Sequence, residues 1–552
     1  MATVAELMAR TLAEAGVTRM YGLPGGEILD FIDAARRAGI QFILTRDETT
    51  ASFIADAEGF LTGRPAVCVS TLGPGAINMT LGVANAWLDR SPVIAVTASM
   101  ATASAPYATH QQIDLNAVYR PFTKAALTLD GRDTLAAMRE ACRLSVAPRM
   151  GPVHVALPSD VARMDDPVTE AGPWSLAPAP PDAPASRALD EVIGAIRAAR
   201  RPVLLLGLDL DPRAHRDAVR TLVDRLDVPV FATPKVKGLL PEDHPRFLGV
   251  CGGVAGDAAI LDFFNRADVL LGVGYDPVES DKLWHRTNPI VSLGPISIAA
   301  GSYRPLLEVT GDLIRTIEAI VAHSPGPFEW TEDELSGFRR ELEGRLRPQA
   351  IPVRGLSPWE VTRCLRDACP RETIATTDVG SVKFIVSQAW RSYEPLTFLE
   401  SNGLSSMGYG LPAAIAAKLQ FPGRPVVCTV GDGGLGMRMA DIETCVRLRL
   451  PIVIVVFNDD GLSLIQVVQR KKGYADYGVG YGHVDFAAAA VALGARGCAI
   501  RTLEGLADAM KDALGADGPT VIDVAIDPSE YHIQTAKVGS PAPGNIHHGE
   551  TA

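Results

Sequence analysis

The stretch from Val426 to Gly461 constrains the fold of this chain more than any other. Two apolar, β-branched runs, Val426–Val430 and Ile452–Phe457, are each too short for anything but a buried strand. Between them Met439, Ile442, Val446 and Leu450 recur at three- and four-residue steps, the spacing of an amphipathic helix. Strand, helix and strand at this length predict a βαβ unit in a parallel sheet. In such sheets ligands sit beyond the carboxyl ends of the strands. Gly431-Asp432-Gly433-Gly434 leaves the first strand there, and Asn458-Asp459-Asp460-Gly461 leaves the second. Asp432 and Asp459 are 27 residues apart, about one such unit. Two carboxylates at adjacent strand ends suit a hard divalent cation with oxygen ligands. Glycines around Asp432 let a phosphate approach backbone N–H groups near a helix start. Asp-Gly is also common turn chemistry, and Asn-Asp-Asp-Gly suits an ordinary loop, so these residues alone leave the two readings level.

A length of 552 residues predicts about three domains. Apolar content of 47% and charged content of 21% fit a globular protein with large cores. Net charge −12 and a pI of 5.4 argue against a nucleic-acid surface, and Arg470-Lys471-Lys472 is too short a basic run to change that. A bound phosphate therefore needs local neutralisation by metal and backbone dipoles. Apolar runs such as Phe486–Ala495 fall short of the roughly 20 residues of a membrane span, so no membrane partner is expected. Met1–Gly16 has no secretory pattern. The eight cysteines form no CxxC pair, and Cys68 and Cys428 fall in predicted strands; buried free thiols in a reducing cytoplasm follow.

Along the chain, residues 1 to about 165 alternate helix (Val4–Ala15), glycine loop (Gly22-Leu23-Pro24-Gly25-Gly26), helix (Ile28–Ala35) and strand (Phe42–Leu44). A helix over Thr50–Leu61, strand Ala66–Ser70, loop Gly73-Pro74-Gly75, a helix through Trp87, strand Val93–Thr97 and a last strand at Pro152–Leu157 continue it. Met164–Ser186 reads as a linker. Residues 187 to about 322 predict a second α/β domain with strands Pro202–Gly207, Pro229–Ala232, Val269–Val273 and Ile290–Leu293. After a break at Ser324–Glu329, residues 356–528 predict a third, with strands Thr373–Thr377, Val426–Val430, Ile452–Phe457 and Thr520–Val524. The fold class is thus α/β, three doubly wound parallel-sheet domains, followed by a tail (529–552) that is a lid or disordered. The first and third share a layout of strand, glycine loop and helix, as a duplication would give.

Gly-Asp-Gly, a helix, a buried strand and an Asn-Asp pair at this spacing resemble the thiamine diphosphate signature of the acetolactate synthase and pyruvate decarboxylase superfamily. The resemblance runs from Ala2 to about Asp527. It implies pyrimidine-binding, central and diphosphate-binding domains, in that order. It implies that Asp432, Asp459 and the Gly461 carbonyl hold Mg²⁺, which grips the cofactor diphosphate. Most members carry Asn in place of Asp459; the catabolic, flavin-independent acetolactate synthases, which this chain resembles elsewhere, carry Asp. Arg46-Asp47-Glu48, then Ser70-Thr71-Leu72-Gly73-Pro74-Gly75-Ala76-Ile77-Asn78, resemble the family's glutamate segment and Gly-Pro-Gly-Ala-x-Asn loop. Glu48 alone reads as a surface carboxylate; by resemblance it contacts N1′ of the aminopyrimidine and activates the cofactor. Asn402–Gly410 alone reads as a helix start capped by Ser405 or Ser406. By resemblance Met407 wedges under the cofactor and the Ser405 and Met407 backbone meets the pyrimidine edge. Asp378, Val379, Gly380 and Ser381 match a second diphosphate loop, where Val382 replaces a frequent His. Pro24, Gly25, Gly73, Asn78, Gly431, Gly433, Gly434, Leu462 and Ser463 complete the implied cofactor set.

On the substrate side, His110-Gln111-Gln112 and Arg120-Pro121-Phe122-Thr123-Lys124 resemble the family's Phe-Gln-Glu and Arg-Pro-x-Thr-Lys run, which makes His110, Gln111 and Lys124 catalytic candidates. Val468 stands where anabolic acetolactate synthases carry Trp. Gly274-Tyr275-Asp276-Pro277-Val278-Glu279 with Trp284 resembles the catabolic branch, so FAD is not expected. The implied reaction is covalent catalysis by the cofactor. Its ylid attacks a 2-oxo acid such as pyruvate, CO₂ leaves, and the enamine adds to a second carbonyl acceptor. A homodimer or homotetramer is implied, because relatives build each site from two subunits. A decarboxylase, a lyase or synthase of another donor, and a non-catalytic regulatory relative are the alternatives; the joint presence of Glu48, Asp432 and Asp459 opposes the last.

Overall fold

The computed structural model describes residues 2–168, 172, 174–177, 181–279, 290–299, 304–323, 326–347, 352 and 354–531. Trp284 and the tail beyond Tyr531 lie outside them. Three six-stranded sheets, every strand parallel, organise the chain. The first runs, in space, Gln41–Leu44, Arg19–Gly22, Ala66–Ser70, Val93–Ser99, Val153–Pro158 and Ala126–Thr128. The middle sheet runs Phe247–Val250, Val230–Ala232, Pro202–Leu206, Val269–Val273, Ile290–Gly294 and Leu307–Thr310. The third runs Phe398–Leu399, Ile374–Thr377, Val426–Gly431, Ile452–Asn458, Thr520–Ala525 and Arg496–Ile500. Counted along the chain, the first and third sheets share the order 2-1-3-4-6-5, whereas the middle one has 3-2-1-4-5-6. The common order extends the shared layout of first and third domains from local motif to topology.

The twelve strands read from the sequence all form, within a residue or two at their ends. Six more complete the sheets, two in each: Arg19–Gly22, Ala126–Thr128, Phe247–Val250, Leu307–Thr310, Phe398–Leu399 and Arg496–Ile500. Five of these six are edge strands. An edge strand meets solvent on one side and lacks the continuous apolar run that marks an interior parallel strand. The helix expected over Met439–Leu450 is broken instead into Asp432–Arg438, a 3₁₀ turn Met439–Asp441 and Ile442–Arg447. Asp441 explains the break. Its buried carboxylate accepts from the Arg46 N–H (3.0 Å) and the hydroxyls of Thr50 (2.7 Å) and Thr444 (2.9 Å), so it faces the first domain instead of extending the helix.

First and third domains pack through two helices. Glu48–Thr62 is buried from Glu48 to Leu61, and Gly410–Gln420 is buried from Gly410 to Lys418. Ala51, Ala55 and Ala57 face a partner rich in Ala413, Ala414, Ala416 and Ala417, and such small side chains let two backbones approach closely. Phe53 meets Tyr409 edge-on, with ring centroids 5.7 Å apart. One apolar core consequently runs from Tyr21 and Phe53 to Leu411, Ile415 and Val456. No helix among the described residues is long and apolar enough to cross a membrane.

Candidate active site

In doubly wound sheets the crevice lies where strand order reverses. In the third sheet that point falls between Ile374–Thr377 and Val426–Gly431. A cavity of about 220 Å³ opens there. The loop after the first of these strands gives it Val379, Gly380 and Ser381; the loop after the second gives Gly431, Asp432, Gly433 and Gly434. Ser405 and Met407 reach it from the turn before helix Gly410–Gln420, and Asp459, Gly461, Leu462 and Ser463 from the end of Ile452–Asn458. Every third-domain residue that the resemblance implies for cofactor or metal, Asp378 at the head of its loop apart, therefore lines one cavity. Val382 lines it too, as a buried apolar side chain.

The parallel register brings Gly431 beside Phe457, which places the two acidic loops side by side. Asp432 Oδ2 accepts from the backbone N–H of Asp459 (3.3 Å) and Gly461 (3.2 Å); Oδ1 accepts from Gly433 N–H and the Tyr481 hydroxyl, both at 2.6 Å. Burial pushes the Asp432 carboxyl up. Burial and then the Asp432 charge push Asp459 up to about 7, against a hydrogen bond from Ser463. Among the described residues no Lys, Arg or His lines the cavity. Two buried carboxylates with no positive side chain fit a divalent cation, and an added diphosphate fits only together with one. Among the described residues no group of three or more His, Cys, Asp or Glu could hold a metal, so a cation here rests on two carboxylates and non-side-chain oxygens.

Glycine shapes this wall at two positions. A Cβ on Gly433 would come 3.2 Å from the Met407 methyl and 3.0 Å from the Tyr481 hydroxyl; one on Gly434 would collide with Asp378 Oδ2. Asp378, fully buried, accepts from Val379, Gly408 and Tyr409 N–H groups and so fixes both loops. It replaces the expected Ser405 or Ser406 cap, since helix Gly410–Gln420 has no side-chain cap. Ser405 adopts a left-handed φ of 54°, and its hydroxyl donates to the Asn402 carbonyl.

In the first sheet the order reverses between Arg19–Gly22 and Ala66–Ser70. Gly25 there lies against Thr71, so close that a Cβ would stand 2.4 Å from it, with exposed Pro24 beside it. Glu48 opens the helix after Gln41–Leu44, behind its cap Asp47. It is buried, and Asn78 Nδ2 donates to its Oε2 at 3.2 Å. Gly75 permits this arrangement, because a Cβ would be 2.8 Å from Glu48 Oε1. Gly73 packs on Gln111, which lines a separate cavity of about 310 Å³ with Ser99, Thr102 and Asn116. His110 is exposed on the same turn. Lys124 stands apart: its ammonium donates to the carbonyls of Ala147 (2.7 Å) and Arg149 (2.8 Å), and burial lowers its pKa to about 8. None of these first-domain residues lines the third-domain cavity.

The middle sheet reverses between Pro202–Leu206 and Val269–Val273. Tyr275 and Glu279 are buried, the Leu208 N–H donates to Glu279, and Asp276 pairs with Arg90 and Arg149 of the first domain. One site residue escaped the sequence reading, Tyr481, and Asp378 is read there only as the head of a diphosphate loop. Asp378 heads the Asp-Val-Gly-Ser loop, yet its role depends on a turn 30 residues away. Tyr481 carries no local signal, because its partner Asp432 lies 49 residues away.

Three family models match in sequence order: the N-terminal thiamine pyrophosphate-binding domain over residues 2–118, the central domain over 189–320 and the C-terminal thiamine pyrophosphate-binding domain over 378–524. The acetolactate synthase of Bacillus subtilis is 34% identical over 95% of this chain and 93% of its own length. The catabolic acetolactate synthase of Raoultella terrigena is 31% identical over 95% of both. A probable 2-ketoarginine decarboxylase of Pseudomonas aeruginosa is 30% identical over 95% of this chain and 94% of its length. With likeness of this extent and all three domains in order, the chain belongs to the thiamine diphosphate-dependent enzymes of the acetolactate synthase superfamily.

Proposed function

We propose that the chain is an Mg²⁺-dependent carboligase of the acetolactate synthase kind, decarboxylating a pyruvate-like 2-oxo acid and joining the remainder to a second carbonyl compound. The observation that carries this reading is near-full-length similarity to two acetolactate synthases. Bound thiamine diphosphate supplies the nucleophilic carbon and the electron sink. Asp432, Asp459 and the Gly461 carbonyl would hold Mg²⁺, which offsets the charge of both carboxylates and the diphosphate. Gly431, Gly433, Gly434, Leu462 and Ser463 flank that diphosphate on one side, and Val379, Gly380 and Ser381 on the other. Met407 offers its thioether as a wedge, with Ser405 at the pyrimidine edge. Glu48, oriented by Asn78, holds a proton at the pyrimidine nitrogen, and Pro24, Gly25 and Gly73 shape its surroundings. Gln111 and His110 face the substrate side; Lys124 supports them through the Ala147–Arg149 loop.

Glu48 lies outside the cavity that the third domain forms within one chain, which supports a site completed by a second copy, as homodimer or homotetramer. The resemblance of Gly274-Tyr275-Asp276-Pro277-Val278-Glu279 to the catabolic branch supports function without FAD, and the free cysteines support a cytoplasmic location. Units of 1–165, 187–322 and 356–528 carry these roles. A second reading, release of an aldehyde after decarboxylation, rests on the 2-ketoarginine decarboxylase relative. Incubation with pyruvate, Mg²⁺ and thiamine diphosphate separates the two. Acetoin after acidification supports ligation, whereas acetaldehyde alone refutes it.

A further inference from the structure

The turn that carries Ser405 and Met407 is held from the first domain of the same chain. Asp89 follows helix Thr80–Leu88 and is fully buried. Its carboxylate accepts from the N–H of Gly403 at 2.8 Å and of Asn402 at 3.3 Å. One turn back along the helix, Asn85 Oδ1 accepts from the Ser401 hydroxyl at 2.6 Å, and that hydroxyl oxygen accepts from Ser406 N–H at 2.9 Å. The backbones touch as well. A Cβ on Gly403 would stand 2.6 Å from Leu88 Cβ and 2.9 Å from its carbonyl carbon and oxygen. Lys235 of the middle domain, buried over the Phe60 ring, pairs with Asp89 at 3.1 Å and donates to the Glu400 carbonyl at 3.2 Å.

We propose that Asp89 is a positioning residue for the cofactor: with Asn85 it sets the place of the Asn402–Met407 turn, and Lys235 keeps its charge tolerable in the core. The physical basis is threefold. Gly403 and Asn402 N–H groups lose a buried acceptor without Asp89, a loss that shifts the turn or leaves them unpaired. The contact at Gly403 has no room to absorb such a shift. Met407, four residues on, shares the displacement and lines the cavity. This rests on the reading of that cavity as the cofactor site.

The experiment measures thiamine diphosphate binding by calorimetry in the presence of Mg²⁺ on the assembled enzyme. Asp89→Ala and Gly403→Ala, one chemical and one steric, should each weaken the dissociation constant at least ~10-fold. Asp89→Asn with Lys235→Gln keeps an acceptor for Gly403 and removes both charges, so it should recover affinity to within ~3-fold. Arg201→Met with Glu334→Gln removes an ion pair between the middle domain and helix Glu332–Leu346 that does not touch the turn; it should lower the melting temperature and leave affinity unchanged. If Asp89→Ala does not fold, Gly403→Ala alone carries the test. Wild-type affinity in folded Asp89→Ala or in Gly403→Ala overturns the proposal. So does an equal loss in the Arg201/Glu334 control, which would make the effect one of general stability. A wild-type protein that binds no thiamine diphosphate overturns the reading of the cavity itself, and this inference with it.

Discussion

Asp378→Asn isolates the electrostatics beneath the third-domain cavity. The Asp378 carboxyl accepts from Val379 N–H at 2.7 Å, Gly408 N–H at 2.8 Å and Tyr409 N–H at 3.2 Å. Burial nevertheless pushes its pKa from 3.8 up to about 6, against those three bonds and the Arg438 charge. Between these values the folded protein holds a proton that the unfolded chain has released. The stabilisation is therefore complete below the unfolded pKa of 3.8 and is lost as pH rises through about 6. At ~1.4 kcal/mol per pH unit the whole effect is ~3 kcal/mol. About 2 kcal/mol of it falls between roughly pH 4.5 and 7.5. Asn has the same shape and no proton to lose. Urea denaturation of both proteins at the two pH values should thus show wild type losing ~2 kcal/mol relative to Asp378→Asn, groups common to both cancelling. Asp378→Ala strands three buried N–H groups at ~1–3 kcal/mol each and should lose ~3 kcal/mol or more at either pH. Parallel pH profiles for wild type and Asp378→Asn would refute this account of the buried carboxyl.

Two further outcomes follow from the site. Glu48→Gln retains an acceptor for Asn78 but cannot exchange a proton, so pyruvate turnover should fall by ~10²–10⁴-fold while calorimetric cofactor affinity stays within a few-fold; unaltered turnover rules out the role given to Glu48. Asp459→Asn keeps an oxygen ligand and relieves the repulsion from Asp432, so Mg²⁺-dependent cofactor binding should survive, whereas Asp432→Ala should lose it at least ~10-fold. Equal behaviour of these two variants, with and without EDTA, contradicts the assignment of the cation to this pair.

Fold class and the third-domain cavity were legible because their signals are local. Interior parallel strands are continuous apolar runs, and Gly431–Gly434 and Asn458–Gly461 lie at the ends of two of them. Edge strands such as Leu307–Thr310 and Arg496–Ile500 carry mixed side chains and were not visible. The helix expected across Met439–Leu450 failed for a tertiary reason: apolar spacing continues through Asp441, but the buried carboxylate answers to Thr50 in another domain. Glu48 is found through its resemblance to a motif, and the same resemblance, in which each site is built from two subunits, implies its separation from the third-domain cavity within one chain. Asp89 and Tyr481 act through partners distant in sequence, and Asp378, legible only as the head of its loop, shows its contacts to Gly408 and Tyr409 in the folded chain alone.

The core shared by Glu48–Thr62 and Gly410–Gln420 bears on how this protein is made. Its earliest-synthesised helix finds its complement only after some 350 more residues have left the ribosome. Until then Ala51, Phe53 and Ile54 have no third-domain surface to cover them. Nascent chains should consequently stay dependent on chaperones until late in translation, and a polypeptide released before Leu411–Ala417 should aggregate instead of leaving a stable amino-terminal fragment.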